Sequence, residues 1–223
     1  MLERYQTVAD VVLDHSETAE VFQRHRIDFC CRGDLSLEQA AQSKQVDLDL
    51  LVRELNEAIA SRAGSPPVEL RALSTPQLVE RILANHDALL RAIPFARTLA
   101  VKVSRVHGEH NPKLRELQTA VEELEATLVP HLEAEARSLS PLLATQPADP
   151  AAVRQQLEAM VAEHRAVAAL LERIRAASDG FALPDWACRS YRALFSELEQ
   201  LEARTFESVH LENHVLRPRF PVA

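Results

Sequence analysis

Glycine is scarce, with 4 residues in 223, and the aromatics amount to one tryptophan, two tyrosines and seven phenylalanines. No run of alternating β-branched residues makes a convincing strand, so sandwiches and barrels built on glycine-rich turns are excluded. No apolar stretch is long enough to span a membrane. The start, MLERYQTVAD, lacks the apolar core of a signal peptide. The sequence therefore predicts a soluble, cytoplasmic protein with no membrane partner. Cysteine occurs three times. An odd number is a poor disulfide framework and fits a reducing compartment. Basic residues (25) are outnumbered by acidic ones (33), and the net charge of −8 argues against a nucleic-acid partner. What remains is rich in Ala, Leu, Glu, Arg and Gln, which are good helix formers. The predicted fold class is all-α.

Residues 1–63 read as a small helical domain. Short helices are expected over Thr7–Leu13 and from Ser16 to about His25. Arg32-Gly33-Asp34 is a turn, and Ser36 with Gln39 is a capping-box pattern opening the next helix. Another helix runs from about Asp47 to Ala63, with Gly64 suited to end it in the left-handed region. Residues 64–75, with the Pro66-Pro67 pair, read as a linker. From residue 76 to 223 come four long helical segments. The first is capped by Ser74 or Thr75 and runs to about Val106. The second runs from Asn111-Pro112 to about Ala144, with a kink expected at Pro130. The third starts after Asp149-Pro150 and ends near Ser178; the fourth runs from Pro184 to about Leu216. Their lengths and short connections predict an antiparallel four-helix bundle.

The apolar stripe of the second segment is Val121, Leu124, Leu128, Leu139 and Leu142, and His131 and Glu135 fall on it four residues apart. His86 lies in the stripe of the first segment, His164 in that of the third and Glu212 in that of the fourth. Buried imidazoles and carboxylates are costly unless paired or bound to metal. A single inward histidine is readily explained as a hydrogen-bonded core residue. Five such groups on four successive helices are better explained by a di-iron or di-manganese centre.

The chain resembles the repair-of-iron-centres family, di-iron proteins that join a paired-cysteine N-terminal domain to a hemerythrin-like bundle. The matching pieces are DFCCRGDLSLEQAA, NHDALLRAIP around His86, HLEAE from His131 to Glu135, AEHRAV around His164 and LENHVLRP around Glu212. The resemblance covers essentially the whole chain. It implies two irons bridged by Glu135 and Glu212, with His86, His131 and His164 as terminal ligands. It also implies repair of iron–sulfur proteins damaged by nitric oxide or oxidative stress, with nitric oxide as the small ligand. A hemerythrin-like sensor or buffer of nitric oxide or oxygen is the alternative, and a metal-free scaffold pairing with other chains is a third. A homodimer is compatible with the sequence, and no catalytic residue is assigned.

The family's last helix reads His-x-x-x-Glu-Asn, whereas Ser208 stands four residues before Glu212. His210 is two residues from Glu212, about 200° round a regular helix, and faces outward with Phe206 and Asn213. It becomes a ligand only if a π-bulge turns it inward. Otherwise the site is completed by water, carries a weaker second iron, or is mononuclear. His214 reads as a solvated neighbour. His107 and His110 read as a polar corner, with lining the way to the metals as the functional alternative. Cys30 and Cys31 are adjacent, and a disulfide between neighbours is strained. Arg32 and the following helix N-terminus favour a thiolate, and the resemblance favours a functional pair: a transient metal or nitrosyl ligand, or a thiol facing the partner. Cys188 reads as a core residue.

Overall fold

The computed structural model describes residues 2–61, 70–143 and 149–221; side chains are described for these except Leu142 and Leu143. Most of the expected linker, with Gly64 and the Pro66-Pro67 pair, lies outside the described residues, as does the Leu142 side chain.

The N-terminal part consists of α1 (Val8–Asp14), α2 (Ala19–Arg24), α3 (Leu37–Lys44) and α4 (Leu48–Ser61). Local hydrogen bonds set their starts. The Thr7 hydroxyl accepts from the Asp10 N–H ahead of α1. Ser36 and Gln39 close the capping box of α3 in both directions. Ser16–Thr18 form a 3-10 turn, so α2 begins at Ala19 rather than at Ser16. Between α2 and α3, Phe29 and Cys30 are buried with Val8, Phe22, Leu37, Leu51 and Leu55.

Four long helices follow: α5 (Thr75–His107), α6 (Lys113–Leu139), α7 (Pro150–Ala177) and α8 (Arg189–Leu211). Ser74, not Thr75, caps α5, in a second capping box with Gln77. Asp149 caps α7 by accepting from the Ala151 and Ala152 N–H groups; such caps contribute about 1 kcal/mol each. Both α5 and α6 continue through their internal prolines, Pro94 and Pro130. The fourth helix begins at Arg189 instead of Pro184, because Asp179, Gly180 and Phe181 take left-handed φ values and the chain up to Cys188 stays irregular.

The helices alternate in direction. Arg81 pairs with Glu207 at one end of α5 and α8, while the rings of His107 and Tyr191 lie 5.8 Å apart at the other. His131 meets Glu163, and Arg173 meets Glu116, along α6 and α7. The bundle core comprises Leu89, Ile93, Leu117, Leu124, Leu128, Leu171, Leu194 and Leu198, among others. After Leu211 the helix widens into a π-turn, Glu212–Leu216, and then tightens into a 3-10 turn containing Pro218. The N-terminal core is closed on one side by α8, through Val209 and Phe206. No helix of the described residues is long and apolar enough to cross a membrane.

Candidate metal centre

The stripe positions of the four helices meet at one level of the bundle. His86 from α5, His131 and Glu135 from α6, His164 from α7 and Glu212 from the π-turn are all buried. His86 Nε2 lies 3.2 Å from Glu212 Oε1 and 3.5 Å from Glu135 Oε2. His131 Nε2 lies 3.3 Å from Glu135 Oε2. His164 Nε2 lies 3.6 Å from Glu135 Oε1 and 3.2 Å from Glu212 Oε2. Two overlapping triads result, His131–Glu135–His164 and His86–Glu135–Glu212, with Glu135 common to both. They enclose about 10 Å³, the size of roughly one water-sized body. That space suits an ion better than an organic ligand. Leu89, Leu128, Leu132 and Val167 wall it.

The site's electrostatics are those of a cation pocket. His164 Nε2, Glu135 Oε1 and Glu212 Oε2 are buried yet make no well-angled hydrogen bond among the described residues, despite their proximity. His86 Nε2 and Glu212 Oε1 share a hydrogen bond, and the three converging atoms left without one fit a metal better than a closed hydrogen-bonded core. Burial pushes His164 down, but Glu135 and Glu212 outweigh it and lift it to about 10. Burial likewise pushes His86 and His131 down, but Glu212 and Glu135 raise the first, and Glu135 and Glu163 the second. Burial acts to raise Glu212, but His164 and His86 prevail and hold it well below the usual carboxylate range. Without a cation, therefore, protons occupy the imidazoles. His164 moves from 6.5 in the unfolded chain to about 10 in the folded one, so its stabilisation is complete below 6.5 and fades as pH rises towards 10. Glu212, lowered from 4.5, stabilises above that value and ceases to do so in acid. Metal-free protein is accordingly expected to be most stable between these limits, with denaturant midpoints falling on both sides. A flat profile above pH 7 would contradict this.

One further residue belongs to the site. His131 Nδ1 donates to Glu163 Oε2 at 2.6 Å, which leaves Nε2 to face the pocket. A carboxylate behind a ligating imidazole fixes its tautomer and raises its basicity. Glu163 escaped the sequence reading because, one residue before His164, it points off the stripe; only the α6–α7 pairing shows its partner. Glu163→Ala is expected to weaken metal affinity by about 10–100-fold, measured by competition with a chelator. Unchanged affinity would remove Glu163 from the site.

Comparison with known proteins gives the geometry a family. The hemerythrin HHE cation binding domain matches residues 77–220, and a domain of unknown function, DUF542, also called ScdA_N, matches residues 4–59. A protein named iron-sulfur cluster repair protein ScdA, from Staphylococcus epidermidis, is 30% identical over 97% of this chain and 98% of its own. A Staphylococcus haemolyticus protein of the same name is 29% identical over 99% and 100%. Iron-sulfur cluster repair protein YtfE from Yersinia pseudotuberculosis is 28% identical over 97% and 96%. The chain belongs to the repair-of-iron-centres family. Its bundle is a hemerythrin-type cation-binding domain.

Against the family pattern, Ser208 stands where a histidine is expected. It is buried at the pocket, and its Oγ has no hydrogen-bond partner among the described residues. His210 is not brought to the triads. The π-turn is present, but it starts at Glu212, while α-helical geometry persists through Leu211. His210 therefore stays on the far side of α8, where its Nδ1 donates to the Phe29 carbonyl at 3.1 Å. That side is not solvent. Burial, and next His214, push His210 down to about 3, so it is a neutral imidazole. His214 is not solvated either: its Nε2 meets the Cys30 carbonyl at 2.9 Å, and Asn213 Nδ2 donates to the same oxygen at 3.0 Å. The paired cysteines, both free thiols, are thus docked on the turn that carries Glu212. Cys188 is exposed rather than in the core, since it occupies the cap position of α8. His107 Nε2 lies 3.3 Å from its Sγ. His107 and His110 pack on Trp186 at the opposite end of the bundle from the N-terminal module.

Proposed function

We propose that the chain is a di-iron protein that repairs iron–sulfur clusters damaged by nitric oxide or oxidative stress. The observation that carries this reading is the convergence of five buried donors, of which His164 Nε2, Glu135 Oε1 and Glu212 Oε2 have no hydrogen-bond partner among the described residues. The names of relatives matched along nearly their whole length supply the biology. In this reading residues 1–63 and 76–223 are the two working units, joined by 64–75. Glu135 and Glu212 bridge two irons, and His86, His131 and His164 are terminal ligands. Glu163 holds His131 in register.

Ferrous iron held there supplies both open positions for nitric oxide and an ion that a damaged cluster lacks. Ser208 gives one nitrogen donor fewer than the family pattern and so leaves an opening on the α8 side. The apolar wall of Leu89, Leu128, Leu132 and Val167 limits water. The partners are damaged iron–sulfur proteins and nitric oxide, met in the cytoplasm, with the N-terminal thiol module towards the client.

The test is anaerobic. Iron-loaded protein is added to a cluster enzyme inactivated by nitric oxide, and enzyme activity and free nitric oxide are followed together. Recovered activity is the expected result. Nitric oxide uptake with no recovery would establish a buffer in place of a repair protein, and neither effect would remove both readings.

A further inference from the structure

Between the N-terminal helices and α7 lies an open cleft of about 1020 Å³ that the metal centre does not use. Six basic side chains line it, Arg26, Arg32, Lys44, Arg165, Arg173 and Arg175, against four acidic ones, on a chain whose net charge is −8. Three of the six are neutralised in place. Lys44 pairs with Glu172, Arg173 with Glu116 and Glu123, and Arg175 with the buried Glu202. Arg26, Arg32 and Arg165 have no acidic partner among the described residues. Of the acids in the cleft, Glu172 and Glu202 are used in those pairs and Asp28 accepts from two backbone N–H groups, which leaves Asp34 against three guanidiniums. We propose that this cleft is the surface on which a client protein docks, and that it holds an acidic segment of that client; the naming of the partner as a client rests on the repair reading.

Size and floor both suit a length of polypeptide. Small-molecule pockets run to about 1,000 Å³ and close over most of their ligand, whereas this cleft matches the largest of them and stands open to solvent. Arg165, Ala169, Glu172 and Ala176 follow one another on α7 at intervals that place them on one face of the helix, and all four line the cleft. The alanines let a partner backbone come close, and Ile27, Leu35 and Phe206 add apolar surface. Arg26 keeps its side chain at a left-handed position, φ 56°, just after α2, where glycine is the usual residue.

Charge selects the occupant. A guanidinium presents paired donors that match a carboxylate. The acidic remainder of the chain repels an acidic partner, so such a partner is admitted at this cleft and disfavoured elsewhere. His164 and Arg165 are neighbours on α7, one turned to the metal centre and the other to the cleft. A segment seated there lies across a single helix from the five buried donors.

The experiment uses the full, reduced chain under anaerobic conditions and a fluorescein-labelled peptide alternating Glu and Ala, with a Lys–Ala peptide of equal length beside it. Fluorescence anisotropy is expected to show binding of the acidic peptide alone, weakened by added salt. Reversing three cleft charges, Arg26→Glu with Arg32→Glu and Arg165→Glu, should weaken binding by about tenfold or more. Reversing three exposed arginines outside the cleft, Arg91→Glu with Arg105→Glu and Arg189→Glu, should change it by about twofold at most. No binding, equal binding of the basic peptide, or equal losses in both variants overturns the proposal. Because three reversals threaten folding, a second arm leaves the cleft intact. Cys31 lines the cleft and is half-buried. In the Cys188→Ser chain, acidic peptide at about ten times its Kd should slow alkylation of Cys31 by N-ethylmaleimide by about tenfold. An unchanged rate, or equal protection by inorganic phosphate, overturns the proposal. Repair is scored apart: the cleft variant should keep its iron and its nitric oxide uptake yet lose recovery of the damaged enzyme. Recovery at an unaltered rate overturns docking at this cleft and leaves the repair reading standing. Peptide binding by a chain that repairs nothing keeps the docking surface and discards the repair reading.

Discussion

Glu135→Ala is expected to strip iron from the bundle and lower the melting temperature of the metal-loaded protein by about 10 °C. Glu135 is the one donor common to both triads, so its loss weakens both cation positions at once. An ion present at about 1,000 times its Kd stabilises the folded state by about 4 kcal/mol, and in a chain of this size each kcal/mol moves the melting temperature by about 2–4 °C. Without metal a smaller loss remains, because Glu135 then pairs with the buried imidazoles of His86, His131 and His164 and its removal leaves them without that partner. The metal-free scaffold reading makes a different forecast: equal melting temperatures with and without iron, and a neutral or stabilising Glu135→Ala. Scanning calorimetry of both proteins, with and without iron, separates the two.

Phe29→Ala should cost about 3–5 kcal/mol, the usual penalty for truncating a buried aromatic side chain. The Phe29 ring lies 5.7 Å from Phe206 and 5.4 Å from His210 on α8, and 6.5 Å from Phe22 on α2. It is the apolar link between the module and the bundle. Its removal should also loosen the loop that buries Cys30, so that alkylation of Cys30 becomes faster. Urea denaturation gives the first quantity and mass-resolved alkylation the second. A loss under 1 kcal/mol with Cys30 still protected would mean that the docking rests on the hydrogen bonds to the Phe29 and Cys30 carbonyls alone.

Helical periodicity is a local signal, and the parts of this molecule that depend on it were legible. The stripe through Val121, Leu124, Leu128, His131, Glu135 and Leu139 is buried as its spacing requires. The caps at Ser36, Ser74 and Asp149 follow from residue type and spacing. Five of the candidate donors come together because each sits on such a stripe.

The features that were not legible are those set by distant partners. α8 has two buried faces. Leu194, Leu198, Leu201, Thr205 and Ser208 turn to the bundle, while Val209, His210 and Asn213 turn to the N-terminal module. A sequence shows one stripe readily, and a second face mixing aromatic and polar groups resembles a solvated side. Phe206 was the available clue, an aromatic with no place in the inward stripe. The contact it marks spans 181 residues from Phe29 to His210. Cys188 was misplaced for a different reason. The left-handed residues Asp179–Phe181 delay the last helix, and a cap residue is exposed where a helical one at the same place would be packed.

X-ray absorption at the iron edge, on protein loaded anaerobically and then desalted, decides whether interior acids and imidazoles from separate helices share bound iron. Retained iron with oxygen and nitrogen neighbours and the outer-shell scattering of imidazole is expected. Protein that keeps no iron, or iron surrounded by sulfur alone, would contradict it.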